Sequence, residues 1–78
     1  MEFVKNFSFY EIYKKLFGKN VHFISDCEFF PNFDVSCKVI NIYIKNNETL
    51  FEVKTKSNKL ITIGGNMKNL QFELLWFF

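Results

Sequence analysis

Apolar and polar residues alternate over most of the chain's second half. Ile40, Ile42 and Ile44 alternate with Asn41 and Tyr43. Phe51, Val53 and Thr55 alternate with Glu52, Lys54 and Lys56. Leu70, Phe72, Leu74 and Trp76 alternate with Gln71, Glu73 and Leu75. A period of two sends one side of each segment into a core and the other into water, the mark of a half-buried β-strand. Val35–Lys45, Thr49–Lys56, Lys59–Ile63 and Leu70–Trp76 are therefore expected as successive antiparallel strands. Lys45-Asn46-Asn47-Glu48 and Ser57-Asn58 supply the turns, because Asn tolerates positive φ. Gly64-Gly65-Asn66 breaks the third of these runs, and Met67-Lys68-Asn69 fits one turn of 3₁₀ helix before the last strand. Val21–Phe30 has apolar Val21, Phe23, Cys27 and Phe29 on one parity, with His22, Asp26 and Glu28 on the other. It reads as one more strand, ended by Pro31-Asn32.

The period changes near the N-terminus. Ser8 with Glu11 three residues on is a capping box. Phe9, Ile12, Tyr13, Leu16 and Phe17 then recur at helical spacing as one apolar stripe, with Glu11, Lys14 and Lys15 on the wet side. Glu11 and Lys15 stand four apart in the favourable order, and Gly18 is placed to end the helix in a left-handed conformation. The helix is expected over about Phe9–Phe17, with its cap and stop at residues 8 and 18.

The order is one helix, then five strands over Val21–Trp76, in a single domain of 78 residues. It resembles a small SH3-like barrel with an N-terminal helix, in the α+β, mostly β class. That resemblance implies a closed five-stranded antiparallel barrel. The alternatives are an OB-type barrel and a helix packed on an open antiparallel sheet.

Composition changes this picture in two ways. Twelve Phe, three Tyr and one Trp each bring roughly 150–250 Å² to bury, more than so small a core requires, so some rings are expected at a partner or dimer surface. The chain has no Ala and no Arg and is rich in Phe, Lys, Asn and Ile, which have AT-rich codons. In this it resembles small accessory proteins of phages and mobile elements in low-GC bacteria, many of which inhibit host defences, anti-CRISPR proteins among them. The resemblance implies a non-catalytic inhibitor of a larger protein or ribonucleoprotein complex of the host. A net charge of +2 excludes an acidic mimic of DNA, so the inhibition is expected to work by protein contact.

The candidate chemistry is sparse. His22 is the only histidine. It shares a strand face with Asp26 and Glu28, as a carboxylate-oriented general base would, and equally as a surface histidine would. Nine residues lie between Cys27 and Cys37, which does not match the close ligand pairs of structural zinc, and they read as buried thiols. Gly64-Gly65-Asn66-Met67 lacks the Lys-Ser/Thr of a phosphate loop. No catalytic residue, cofactor or metal is assigned. Lys54 and Lys56, with Lys59 and with Tyr43 on the facing strand, form a candidate basic surface with a stacking aromatic, the alternative function being an SH3- or OB-like nucleic-acid-binding module. Leu74-Leu75-Trp76-Phe77-Phe78 is apolar on both parities, and Trp76, Phe77 and Phe78 are candidate anchors for a partner or for a homodimer through the last strand. No run reaches the ~18 apolar residues of a membrane span. The first residues do not resemble a secretion signal, so a cytoplasmic location in the host cell is expected.

Overall fold

The computed structural model describes residues 1–25, 33–64, 67 and 69–76. One α-helix, α1 (Phe9–Leu16), is joined by six strands: β1 (Glu2–Phe3), β2 (Asn20–Ser25), β3 (Phe33–Lys45), β4 (Glu48–Thr55), β5 (Leu60–Gly64) and β6 (Gln71–Leu74). A short 3₁₀ turn, Val4–Asn6, links β1 to the helix. All strand pairs are antiparallel, in the order β1-β6-β2-β3-β4-β5.

The architecture is mostly β, with the helix on one side of an open sheet. The five-stranded SH3-like barrel is corrected on two points. A sixth strand, β1, sits at the edge beside β6, and the sheet runs from β1 to β5 without closing. Closure is a non-local property, and nothing in a period-two pattern specifies it. The arrangement matches the helix-on-open-sheet alternative.

Local chemistry explains the helix and the turns. Ser8 Oγ accepts from the Glu11 N–H at 3.2 Å, and Glu11 Oε1 accepts from the Ser8 N–H at 3.0 Å. These bonds to Ser8, with the charge of Lys15 adding a little, hold the Glu11 carboxyl below its ordinary 4.5. Lys15 itself lies over the Phe7 ring, 5.2 Å from its centroid. Gly18 stands at φ +73° just past the helix, where a side chain is strained. Asn46 and Asn47 have φ of 53° and 62°. Lys45 pairs with Glu48 across them, as a two-residue type I′ hairpin demands. After β4 the Asn58 N–H bonds to the Thr55 carbonyl, the Thr55 N–H bonds to the Lys59 carbonyl, and Asn58 is left-handed at φ 64°. That is a three-residue hairpin built on a type I turn. At the 3₁₀ turn expected before the last strand, the Leu70 N–H bonds to the Met67 carbonyl at 3.2 Å, and Lys68 lies outside the described residues.

The expected inward face needs correction in β3. Cys37 and Val39 are fully buried, and so is Ile42, but Ile40 and Ile44 are exposed. The register slips by one between Val39 and Asn41, so Ile40 is the extra residue of a β-bulge. The pattern itself changes phase there. Cys37 and Val39 are odd-numbered, Ile42 is even, and the bulge lets both phases face the helix. Phe51 and Val53 on β4, Val21 and Phe23 on β2, Ile63 on β5 and Phe72 on β6 complete the core with Ile12 and Leu16 of the helix. The Phe23 and Phe51 rings meet at 5.2 Å. The helical stripe is narrower than expected, since Tyr13 and Phe17 stack on each other at 4.8 Å but remain exposed.

Two substitutions test these local constraints. Ser8→Ala is expected to cost about 1 kcal/mol in urea unfolding at neutral pH. The contribution of Glu11 is present above its ordinary carboxylate range and is lost as pH falls through its lowered value, so Glu11→Gln flattens the stability profile on the acid side. Gly18→Ala is expected to cost roughly 1–2 kcal/mol through its left-handed backbone, because no neighbouring atom lies within 4 Å of an added Cβ. A neutral Gly18→Ala result would remove the backbone explanation.

Candidate functional site

The last described residues carry the most exposed large apolar side chain among the described residues. Trp76 is 98% exposed and Leu74 50%, and Phe17 is exposed near the end of the helix. Leu74 was expected to face the core as Phe72 does. It continues that parity opposite fully buried Val21, but the core ends before it. Trp76, a candidate anchor by sequence, is not buried in the chain's own core.

The strand pairing explains the exposure. β1 pairs with β6 only at Gln71 and Phe72, and the Val4 N–H adds a bond to the Leu70 carbonyl. On the other side, β2 follows β6 through Leu74, and the Leu75 N–H bonds to the Asn20 carbonyl at 2.9 Å. Among the described residues, Glu73–Leu75 thus have a strand on one side only. The edge there is open, and its side chains include two leucines beside the indole.

Two hollows flank this ridge. One, of about 370 Å³, lies between Gly18, Lys19 and Asn20 and the Leu74–Trp76 segment. The other, of about 360 Å³, is lined by Ser36, Lys56 and Glu73 with the same three apolar residues. A third, of about 460 Å³, is lined by Lys38, Lys54, Thr55, Lys56 and Asn58. Lys56 is common to the second and third, so they are neighbours along one side of the molecule.

The residues singled out from sequence separate into two groups. Lys54, Lys56 and Trp76 fall along these adjoining hollows. Tyr43 does not join them. It pairs with Leu50, four residues before Lys54 on β4, or roughly 13 Å along a strand, and Glu52 stands between. Phe77 and Phe78 lie outside the described residues. Lys38 escaped the sequence reading. It stands directly opposite Lys54, and the bulge puts it there: counted back from the Asn46-Asn47 turn without a slip, Lys54 would face Val39.

His22 has a different partner from those expected. Its Nε2 lies 2.5 Å from Asp34 Oδ1, on the diagonal across β2 and β3. Ser36 and Glu73 are its direct cross-strand neighbours. Asp26 and Glu28 are outside the described residues, as is Cys27. Among the described residues no group of three His, Cys, Asp or Glu side chains is placed to hold a metal ion, and no helix is long and apolar enough to cross a membrane.

Cys37 is a free thiol, fully buried on β3, with Sγ 3.6 Å from the Val21 carbonyl oxygen. Burial pushes its pKa up to about 12, so it is a poor nucleophile at neutral pH. Comparison of the chain with protein-family models, curated proteins and solved structures gives no match.

In a Cys27→Ser background, Cys37 is expected to resist iodoacetamide in the folded protein at pH 8 and to react in urea. Its raised pKa favours the folded state fully below the ordinary thiol value of 9.0. That advantage is lost as pH rises from there towards about 12. Cys37→Ala should therefore show a shallower alkaline decline in stability, and rapid labelling of the native thiol would contradict the burial.

Proposed function

We propose that this chain is a non-catalytic binding protein that occupies a larger protein, pairing an extended segment of that partner with the open edge of β6 and burying Trp76 and Leu74 in the contact. The observation that carries this reading is an indole 98% exposed beside a one-sided strand. Strand addition supplies main-chain hydrogen bonds, and hollows beside the edge take alternate side chains. Burying a ring of this size removes roughly 150–250 Å² from water, worth about 4–6 kcal/mol at about 25 cal/mol per Å² before ordering costs are subtracted.

The opposite edge fits less well. β5 begins after Lys59, a residue that discourages strand addition. Ile63 turns inward there, leaving Leu60 as the one strongly exposed apolar side chain of that strand. With a net charge of +2, DNA mimicry is not the mode of action. The resemblance of the composition to phage and mobile-element accessory proteins directs the search to host defence complexes, CRISPR–Cas effectors first. An inhibitor of this kind works by occupying a surface the effector needs.

Capture from a lysate of a low-GC bacterium carrying such a system, followed by mass spectrometry, identifies the partner, and the activity of that partner is then assayed with added protein. Trp76→Ala and Leu74→Lys are expected to lower capture and inhibition at least tenfold while leaving the circular dichroism spectrum unchanged. Trp76 is the sole tryptophan, so acrylamide quenching reports its exposure directly. Equal capture by both variants would sink the proposal. So would a homodimer in solution that shields the indole at this edge.

A further inference from the structure

A second surface, on the side of the sheet away from the helix, sets two lysines against each other. Across the sheet one row of side chains reads Leu60, Lys54, Lys38 and Asn20 by register. Leu75 follows, bonded through its N–H to Asn20. The two lysines face each other directly, where Cβ atoms are about 4.5–5.5 Å apart and like charges destabilise a sheet. Neither has a carboxylate within ion-pair distance among the described residues. An anion seated between them relieves that repulsion.

The surroundings say which anion. The lysine hollow, with Thr55 and Asn58 on its wall, meets at Lys56 the hollow that ends at Trp76. From Lys54 to the β6 segment is three strand spacings, roughly 14 Å. The charge changes along this trough. The lysine end is cationic. The other end has Glu73 beside the exposed indole, which disfavours a second anion and leaves a flat aromatic face. A ligand that alternates charged groups with neutral aromatic rings matches both ends, and a run of carboxylates does not. Within a duplex the base faces are already stacked.

We infer that this trough binds single-stranded nucleic acid, Lys38 and Lys54 taking backbone phosphate and Trp76 stacking on a base. The sequence alternative of a nucleic-acid surface is thereby moved from Tyr43 to Trp76 as the aromatic and gains Lys38. Trp76 is shared with the proposed protein contact, but Lys38 and Lys54 take no part in it, so the salt slope and its response to the lysine substitutions test this inference separately.

The test uses the full chain, with fluorescence of its sole tryptophan as the signal and an oligothymidylate of about eight nucleotides as the probe. Quenching is expected in low salt. The binding constant should fall with salt at a log–log slope of about −1.4 for two phosphate contacts, and Lys38→Gln and Lys54→Gln should each flatten it by about 0.7. Each is also expected to leave thermal stability unchanged or raised, which separates lost binding from lost folding. Lys14→Gln, on the helix, leaves binding unchanged. By anisotropy of a labelled probe, Trp76→Leu should weaken binding without altering the slope. No quenching at about 20 mM salt, where phosphate contacts are strongest, would overturn the inference. So would a slope indifferent to both lysine substitutions, or equal binding of blunt duplex or of a polyglutamate peptide. The last result would assign the trough to an acidic protein segment.

Discussion

The central strand must keep one face buried although its own pattern changes phase halfway along. Before Val39 the inward residues are odd-numbered, and after it they are even. One extra residue, Ile40, absorbs the change, and without it Ile42 would turn to water. The backbone of Val39 is fixed at the same point. It donates to the Lys19 carbonyl and accepts from the Gly18 N–H, both at 2.9 Å. The helix exit, the start of β2 and the slip in β3 are therefore held at one place. Both surfaces described above hang from it. Asn20 follows Lys19 and ties down Leu75, and Lys38 precedes Val39 and is brought opposite Lys54.

Much of the fold was legible because its causes are local. Ser8 and Glu11 announce the cap, and Gly18 the stop. Asn46, Asn47 and Asn58 announce turns that need positive φ, and each of them has it. These signals act within a few residues, where chemistry and conformation correspond closely. The two-residue β1 was not legible, because Glu2 and Phe3 form a strand only by lying against Gln71 and Phe72, far along the chain. Nor was the open sheet, for the same reason.

The candidate site was legible in parts. The apolar run Leu74–Phe78 and the lysines Lys54 and Lys56 were visible in the sequence, and the structure sets Leu74, Leu75 and Trp76 and these lysines along adjoining hollows. Tyr43 is on the facing strand, as read, but four positions along from Lys54, because sharing a strand pair says nothing about position along it. Lys38 was missed although its signal was present. The succession Cys37, Val39, then Ile40 and Ile42 shows two apolar parities meeting at adjacent residues, as a bulge requires. Reading the slip would have moved the register by one and set Lys38 against Lys54.

The two features offered as binding surfaces are also places where the chain departs from what folding alone favours. A small domain buries only a modest share of its surface, so each unfavourable contact weighs heavily in its stability. An indole left in water and two ammonium groups facing each other both cost stability in the isolated chain. Sequences are otherwise consistent across their levels, and departures gather where something other than folding has been selected. Here the departures are neighbours, joined through Lys56, while the capping box, the hairpin turns and the fully buried rings of Phe23, Phe51 and Phe72 obey every rule. The lysine pair and the bare ring lie along adjoining hollows of this scaffold. A bound partner of the kind proposed would cover the ring and bring counter-charge to Lys38 and Lys54, removing both costs at once.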